Sequence, residues 1–139
     1  MRFFLRFLLL ASLSPICFLP SAQAAGPTYA ALVDQLNPQK NTKLQLKETW
    51  NKYKGQEVSW SGTVVEVKEG RHNSAKIYVA DKSRKLYKNY NITIAVKGTE
   101  KAAKLKRGQL VRFKGALYSF DHRDDGRITI INLKNGEVL

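Results

Sequence analysis

The stretch Gln56-Glu-Val-Ser-Trp-Ser-Gly-Thr-Val-Val-Glu-Val-Lys68 begins as an alternating strand and then changes phase. Val58, Trp60, Gly62 and Val64 take one face, and Ser59, Ser61 and Thr63 take the other. The apolar set then jumps to Val65 and Val67, with Glu66 and Lys68 between. Side chains alternate strictly along a strand, so a slip of one residue moves every later side chain to the opposite face. A β-bulge makes such a slip, because it inserts one residue, bends the strand and increases its twist. Gly62 lies close enough to permit the bend. A long first strand that bends and flips its pleat can pair on both sides, as the first strand of a small closed barrel must.

Upstream, Thr28 to Leu36 predicts a short helix that Thr28 caps, with Leu32, Val33 and Leu36 on one face. Asn37 before Pro38 ends it, since the residue preceding proline is pushed out of the helical region. Thr42-Lys-Leu-Gln45 has the form of a capping box, in which the Thr and Gln side chains each satisfy a free backbone N–H. Leu46, Trp50 and Tyr53 then form one apolar stripe, and Gly55 is placed to end the helix. Downstream, further strands are predicted at 75–80, 90–97, 109–120 and 127–133, with a helical segment at 99–107 closed by Gly108. Asp125-Gly126 between two alternating runs is a hairpin signal, because glycine tolerates the positive φ that tight turns demand. Trp50 and Trp60 lie on apolar stripes and read as core.

Strand–strand–strand–helix–strand–strand is the order of a five-stranded OB-fold barrel. The fold class is therefore all-β, with one or two N-terminal helices. The chain divides into residues 1–24, residues 25–41 as helix and linker, and the barrel domain at 42–139. Two stretches resemble exported bacterial OB-fold domains of the tRNA-anticodon-binding-like type. One is Lys52-Tyr-Lys-Gly-Gln-Glu-Val-Ser-Trp-Ser-Gly-Thr-Val64, preceded by a helix. The other is Leu105-Lys-Arg-Gly-Gln-Leu-Val-Arg-Phe-Lys-Gly115. The resemblance spans residues 42–133. It implies the barrel, and nucleic-acid binding by kinship of fold.

Residues 1–24 combine Arg2 and Arg6, an apolar run from Phe7 to Leu19 and a Ser21-Ala-Gln-Ala24 cleavage site. That is the pattern of a signal peptide cut near Ala24. The run is shorter than the roughly 20 residues a membrane span needs, and Pro15 and Pro20 interrupt it. Cys17 follows Ile16, where a lipoprotein signal needs a small residue, so it is read as lost on cleavage. The expectation is a periplasmic or secreted monomer without a membrane span or disulfides, stabilised by its core alone. Removing residues 1–24 leaves 22 basic residues against 11 acidic ones, a net charge of +11. An excess that large attracts polyanions.

The candidate ligand-binding residues lie on the expected outer face and in the connection after the second strand. They are Lys76, Tyr78, Arg84, Lys85, Tyr87, Lys97, Arg112, Lys114 and Tyr118, with Thr93 on the same exposed parity. Cations meet phosphates, and aromatic faces stack on bases, so this mixture suits single-stranded nucleic acid bound without sequence preference. The plainer alternative is a solvated face on which tyrosines pack under long lysine stems. A second functional reading is a module that binds an acidic envelope protein or lipopolysaccharide. A nuclease built on Glu66, Asp81 and Arg112 is a third, but the expected mature chain has no cysteine nucleophile, nucleophile elbow or phosphate loop. The function expected is therefore non-catalytic, with no cofactor. His72 and His122 fall in two loops that would flank one cleft, and both read as exposed polar residues rather than metal ligands.

Overall fold

The computed structural model describes residues 26–139, so the expected signal peptide and Cys17 lie outside the described residues. Two helices, α1 (Tyr29–Gln35) and α2 (Lys43–Tyr53), precede β1 (Glu57–Glu69), β2 (Ser74–Ala80) and β3 (Ile92–Lys97). A short α3 (Glu100–Ala103) leads to β4 (Leu110–Arg123) and β5 (Ile128–Val138). The strands close into a barrel in the order β1-β2-β3-β5-β4. Among the described residues, β3 and β5 pair in parallel and the other neighbours are antiparallel.

The phase change in β1 is a bulge. Thr63 and Val64 pair with Ala80 and Val79 of β2, and the register then skips Val65 to set Glu66 against Tyr78. The first half of β1 pairs with β4, from Glu57 opposite Ala116 to Thr63 opposite Leu110. One strand thus serves both neighbours by bending where the sequence slips. The bulge is satisfied locally. Arg107 Nε donates to the Val65 carbonyl at 2.9 Å, and Val67 N–H donates to Glu66 Oε1 at 3.1 Å. Gly62 contributes close approach rather than bending. A Cβ there would overlap Val79 Cγ1 and meet the Ala80 carbonyl oxygen at 2.9 Å.

Val58, Val64, Ile77, Val79, Ile92, Ile94, Phe113, Leu117, Ile131 and Leu133 fill the barrel, all fully or almost fully buried. The helices add Leu32, Leu36, Leu46 and Trp50 to the same core. Trp60 is buried too; its indole N–H donates to the Pro27 carbonyl at 3.0 Å, and Tyr29 meets it edge-on at 5.5 Å. Trp50 packs on Phe120 at 5.0 Å. The Thr42–Gln45 capping box forms as expected. The turn between β4 and β5 carries positive φ at Asp124, Asp125 and Gly126 in succession.

Three expectations are corrected. The helix expected at 99–107 shrinks to α3, in which only Ala102 is buried and Thr99 makes no side-chain cap bond. A Lys-rich segment without an apolar stripe has little tertiary packing to hold further turns. β4 and β5 run beyond the expected ends at 120 and 133, because they pair with each other from Phe113–Val138 to Arg123–Ile128. Thr93 is buried, not exposed, at 3%. It lies between Tyr78 of β2 and Asn132 of β5, two larger neighbours, and its hydroxyl donates to Asn132 Oδ1 at 2.6 Å.

Candidate functional site

After the bulge, Glu66 and Lys68 of β1 line up with Tyr78 and Lys76 of β2. Tyr78 is one end of an aromatic cluster whose central ring is Tyr90. Tyr90 packs edge-on against Tyr78 at 4.8 Å, and Tyr87 packs edge-on against Tyr90 at 6.1 Å. The second contact is made by a tight turn, Tyr87-Lys88-Asn89-Tyr90. Tyr87 N–H donates to the Tyr90 carbonyl at 2.8 Å and Tyr90 N–H to the Tyr87 carbonyl at 3.1 Å. Lys88 takes φ +58° to close it. β3 therefore begins at Ile92, after Tyr90 has been spent on this turn.

Cations surround the rings. Lys68 and Lys76 place their ammonium groups 5.3 and 5.5 Å from the Tyr78 centroid. Lys88 and Arg123 stand 5.5 and 5.6 Å from that of Tyr87. Burial, and then the neighbouring Tyr78 and Tyr87, raise the pKa of the Tyr90 phenol. Beside the cluster runs an open groove of about 380 Å³, whose lining includes Glu66, Lys68, Tyr78, Lys88, Tyr90 and Arg107. Glu66 is paired there with Arg107, Oε2 to Nη2 at 2.7 Å. The Glu66 carboxyl is held below its ordinary range, first by the Val67 N–H and then by Arg107. Beneath, a polar chain crosses the barrel wall. Thr93 donates to Asn132, whose amide donates to Ser119 Oγ and Asp121 Oδ2, both at 3.0 Å.

The connection from β2 to β3 is anchored on both sides. Buried Asn91 accepts from Asp81 N–H at 2.8 Å and donates to the Asp81 carbonyl at 2.7 Å. Arg84 forms a two-pronged pair with Asp34 of α1 at 2.9 and 2.6 Å.

The nine candidate residues do not form one site. Lys76, Tyr78 and Tyr87 come together in the cluster. Arg84 is engaged by Asp34, and Lys85 is exposed further along that connection. Lys97 ends β3 opposite Ser74. Arg112 and Lys114 point outward from β4 opposite Ser61 and Ser59, and Lys114 pairs with Glu137 at 3.4 Å. Tyr118 is exposed, with Lys134 5.1 Å from its ring. Tyr90, Lys68, Arg107 and Arg123 were not among the candidates, and Lys88 was legible only as one of the four bases of the connection 82–88. Lys68 was legible, since the phase change already set it on the face of Glu66. Tyr90 was hidden by its assignment to a strand.

The proposed nuclease trio is not assembled. Asp81 and Arg112 line one pocket of about 350 Å³, while Glu66 lies in the groove with Arg107. Asp81 Oδ1 accepts from both the backbone N–H and the hydroxyl of Ser83. His122 is half-buried, its Nε2 2.9 Å from the Leu36 carbonyl oxygen, and packs on Phe120. Among the described residues, no group of three or more His, Cys, Asp or Glu gathers as a metal site, and no helix is long and apolar enough to cross a membrane.

No protein-family model and no curated protein sequence matches the chain. Solved structures do. A Klebsiella pneumoniae lipoprotein provisionally named as nucleic acid-binding is 19% identical, with 81% of this chain and 88% of that one covered and a TM-score of 0.50. Asparaginyl-tRNA synthetase from Entamoeba histolytica, in complex with asparaginyl-adenylate, is 18% identical over 62% of this chain and 21% of its own, with a TM-score of 0.44. A mitochondrial single-stranded DNA binding protein from S. cerevisiae is 21% identical over 61% of this chain and 95% of its own, with a TM-score of 0.39. At such identities the likeness is one of fold, and the strand order agrees with it: the chain is a closed five-stranded OB barrel.

Proposed function

We propose that this protein is an exported, non-catalytic, monomeric module that binds single-stranded nucleic acid, without sequence preference, on the face of Tyr78, Tyr87 and Tyr90. An OB barrel hosts many activities, so the site and not the fold carries the reading. The supporting observation is the cluster itself: three tyrosines in edge contact, with Lys68, Lys76, Lys88 and Arg123 over the rings. Free of ligand, the cations rest on the ring faces. A bound strand exchanges both sets of contacts, its bases taking the rings and its phosphates taking the cations. Lys68, Lys76 and Lys88 are exposed, so the exchange disturbs no core packing. Export rests on the pattern of residues 1–24.

The test is a titration of the protein with a labelled oligothymidylate over a salt series, with heparin as competitor. Tyr78→Ala is expected to weaken binding by about 1–3 kcal/mol, the size of one base–aromatic stack. Binding should quench tyrosine fluorescence. Equal loss to salt and heparin, with Tyr78→Ala unchanged, would instead support an acidic envelope protein or lipopolysaccharide as the partner.

A further inference from the structure

We infer that the groove beside Tyr78 is a phosphate subsite centred on Arg107, and that Glu66 is a resident anion occupying it until a ligand phosphate takes its place. The inference deepens the proposed function and rests on it for the identity of the polyanion.

The groove brings together Lys68, Lys88 and Arg107, with Glu66 as its one lining carboxylate. Carboxylate and phosphate oxygens make the same charge-assisted contact with a guanidinium. The 2.7 Å Glu66–Arg107 pair therefore marks a position that already accepts an oxyanion. Arg107 is held in place independently of that pair, because its Nε donates to the carbonyl of the bulged Val65. The guanidinium stays at the groove when the carboxylate leaves. The pair is also easy to break. The Arg107 and Glu66 side chains are 74% and 42% exposed, and ion pairs in that setting are weak. Glu66 has a second holder in the Val67 N–H, so it can release Arg107 without losing its own place in the bulge. Glu66 and Tyr78 are cross-strand neighbours on one face. Arg107 and Tyr78 line the same groove, so a phosphate on Arg107 and a base on Tyr78 would share it.

Glu66 therefore limits affinity by competing for Arg107. The decisive experiment compares wild type, Glu66→Gln, Arg107→Gln and the double variant in oligothymidylate titrations. Glutamine keeps an oxygen for the Val67 N–H while removing the charge. Glu66→Gln is expected to tighten binding about two- to fivefold, the weight of an exposed ion pair. In the Arg107→Gln background that gain should vanish. An unchanged Glu66→Gln, or an equal gain in both backgrounds, would overturn the subsite, since the effect would then be one of net charge alone. A second arm follows the Arg107 Nε–H NMR signal during titration with inorganic pyrophosphate. It should move in the wild type and at lower concentration in Glu66→Gln. If pyrophosphate moves it but oligothymidylate does not bind, the subsite stands and the nucleic-acid reading falls. If neither ligand moves it, the subsite is refuted.

Discussion

Gly62 shows how one residue decides whether the barrel closes. β1 and β2 approach so closely there that a methyl group would overlap Val79 and the Ala80 carbonyl. The carbonyl belongs to a strand and cannot step aside. Gly62→Ala is expected to destabilise the fold by about 1–3 kcal/mol, the range for overpacking, as read by urea denaturation. Asp34 and Arg84 make a different point. The pair ties α1 to the connection that carries Tyr87, and its hydrogen bond with Arg84 is the main reason the Asp34 pKa is lowered. A carboxyl lowered on folding stabilises above its unfolded pKa and loses that contribution as pH falls through the folded value. The stability difference between wild type and Asp34→Asn should therefore be constant near neutrality and shrink below about pH 4. It should be small throughout, because both side chains are substantially exposed. A difference that grows on acidification would contradict the pairing.

At the scale of elements, the bulge in β1 joins fold to site. It turns Glu66 and Lys68 outward beside Tyr78 and Lys76, and keeps Val64 and Val67 on the core side. Deleting Val65 would leave Glu66 opposite Tyr78 and Val67 opposite Ile77 in an unbroken ladder, so the side chains keep their faces and what is lost is the bend and the carbonyl that holds Arg107. The loss should stay in the ordinary range of about 0.5–3 kcal/mol, read as a lower urea midpoint with near-ultraviolet circular dichroism retained, while the groove loses its hold on Arg107. This bulge was legible because core and solvent faces leave opposite residue types in the sequence, and a slip shows as a break in phase. The helix caps and the Asp125-Gly126 turn were legible for similar local reasons. The Tyr87–Tyr90 turn was not. Its aromatic residues resemble strand residues, and its role depends on folding back over β2, a contact between residues that only the assembled barrel brings together. The cation partners were obscured for the same reason. Alternation says that Arg112 and Lys114 point outward, but not that they leave from a different part of a closed wall than Tyr78.

For the whole molecule, charge and aromatic geometry have different consequences. A chain with 24 basic and 11 acidic residues attracts polyanions wherever it is basic. The tyrosine cluster occupies one face only. General charge would spread a polyanion over the surface, including the β4 face of Arg112, Lys114 and Tyr118. A site would confine it. The most direct test is amide NMR of the protein during titration with oligothymidylate at near-physiological salt. The shifts should concentrate at Lys68, Lys76, Tyr78, Tyr87 to Tyr90, Arg107 and Arg123, leaving Arg112, Lys114 and Tyr118 in place. Shifts spread evenly over the basic surface, or centred on the β4 face, would contradict the assignment of the tyrosine cluster as the binding site.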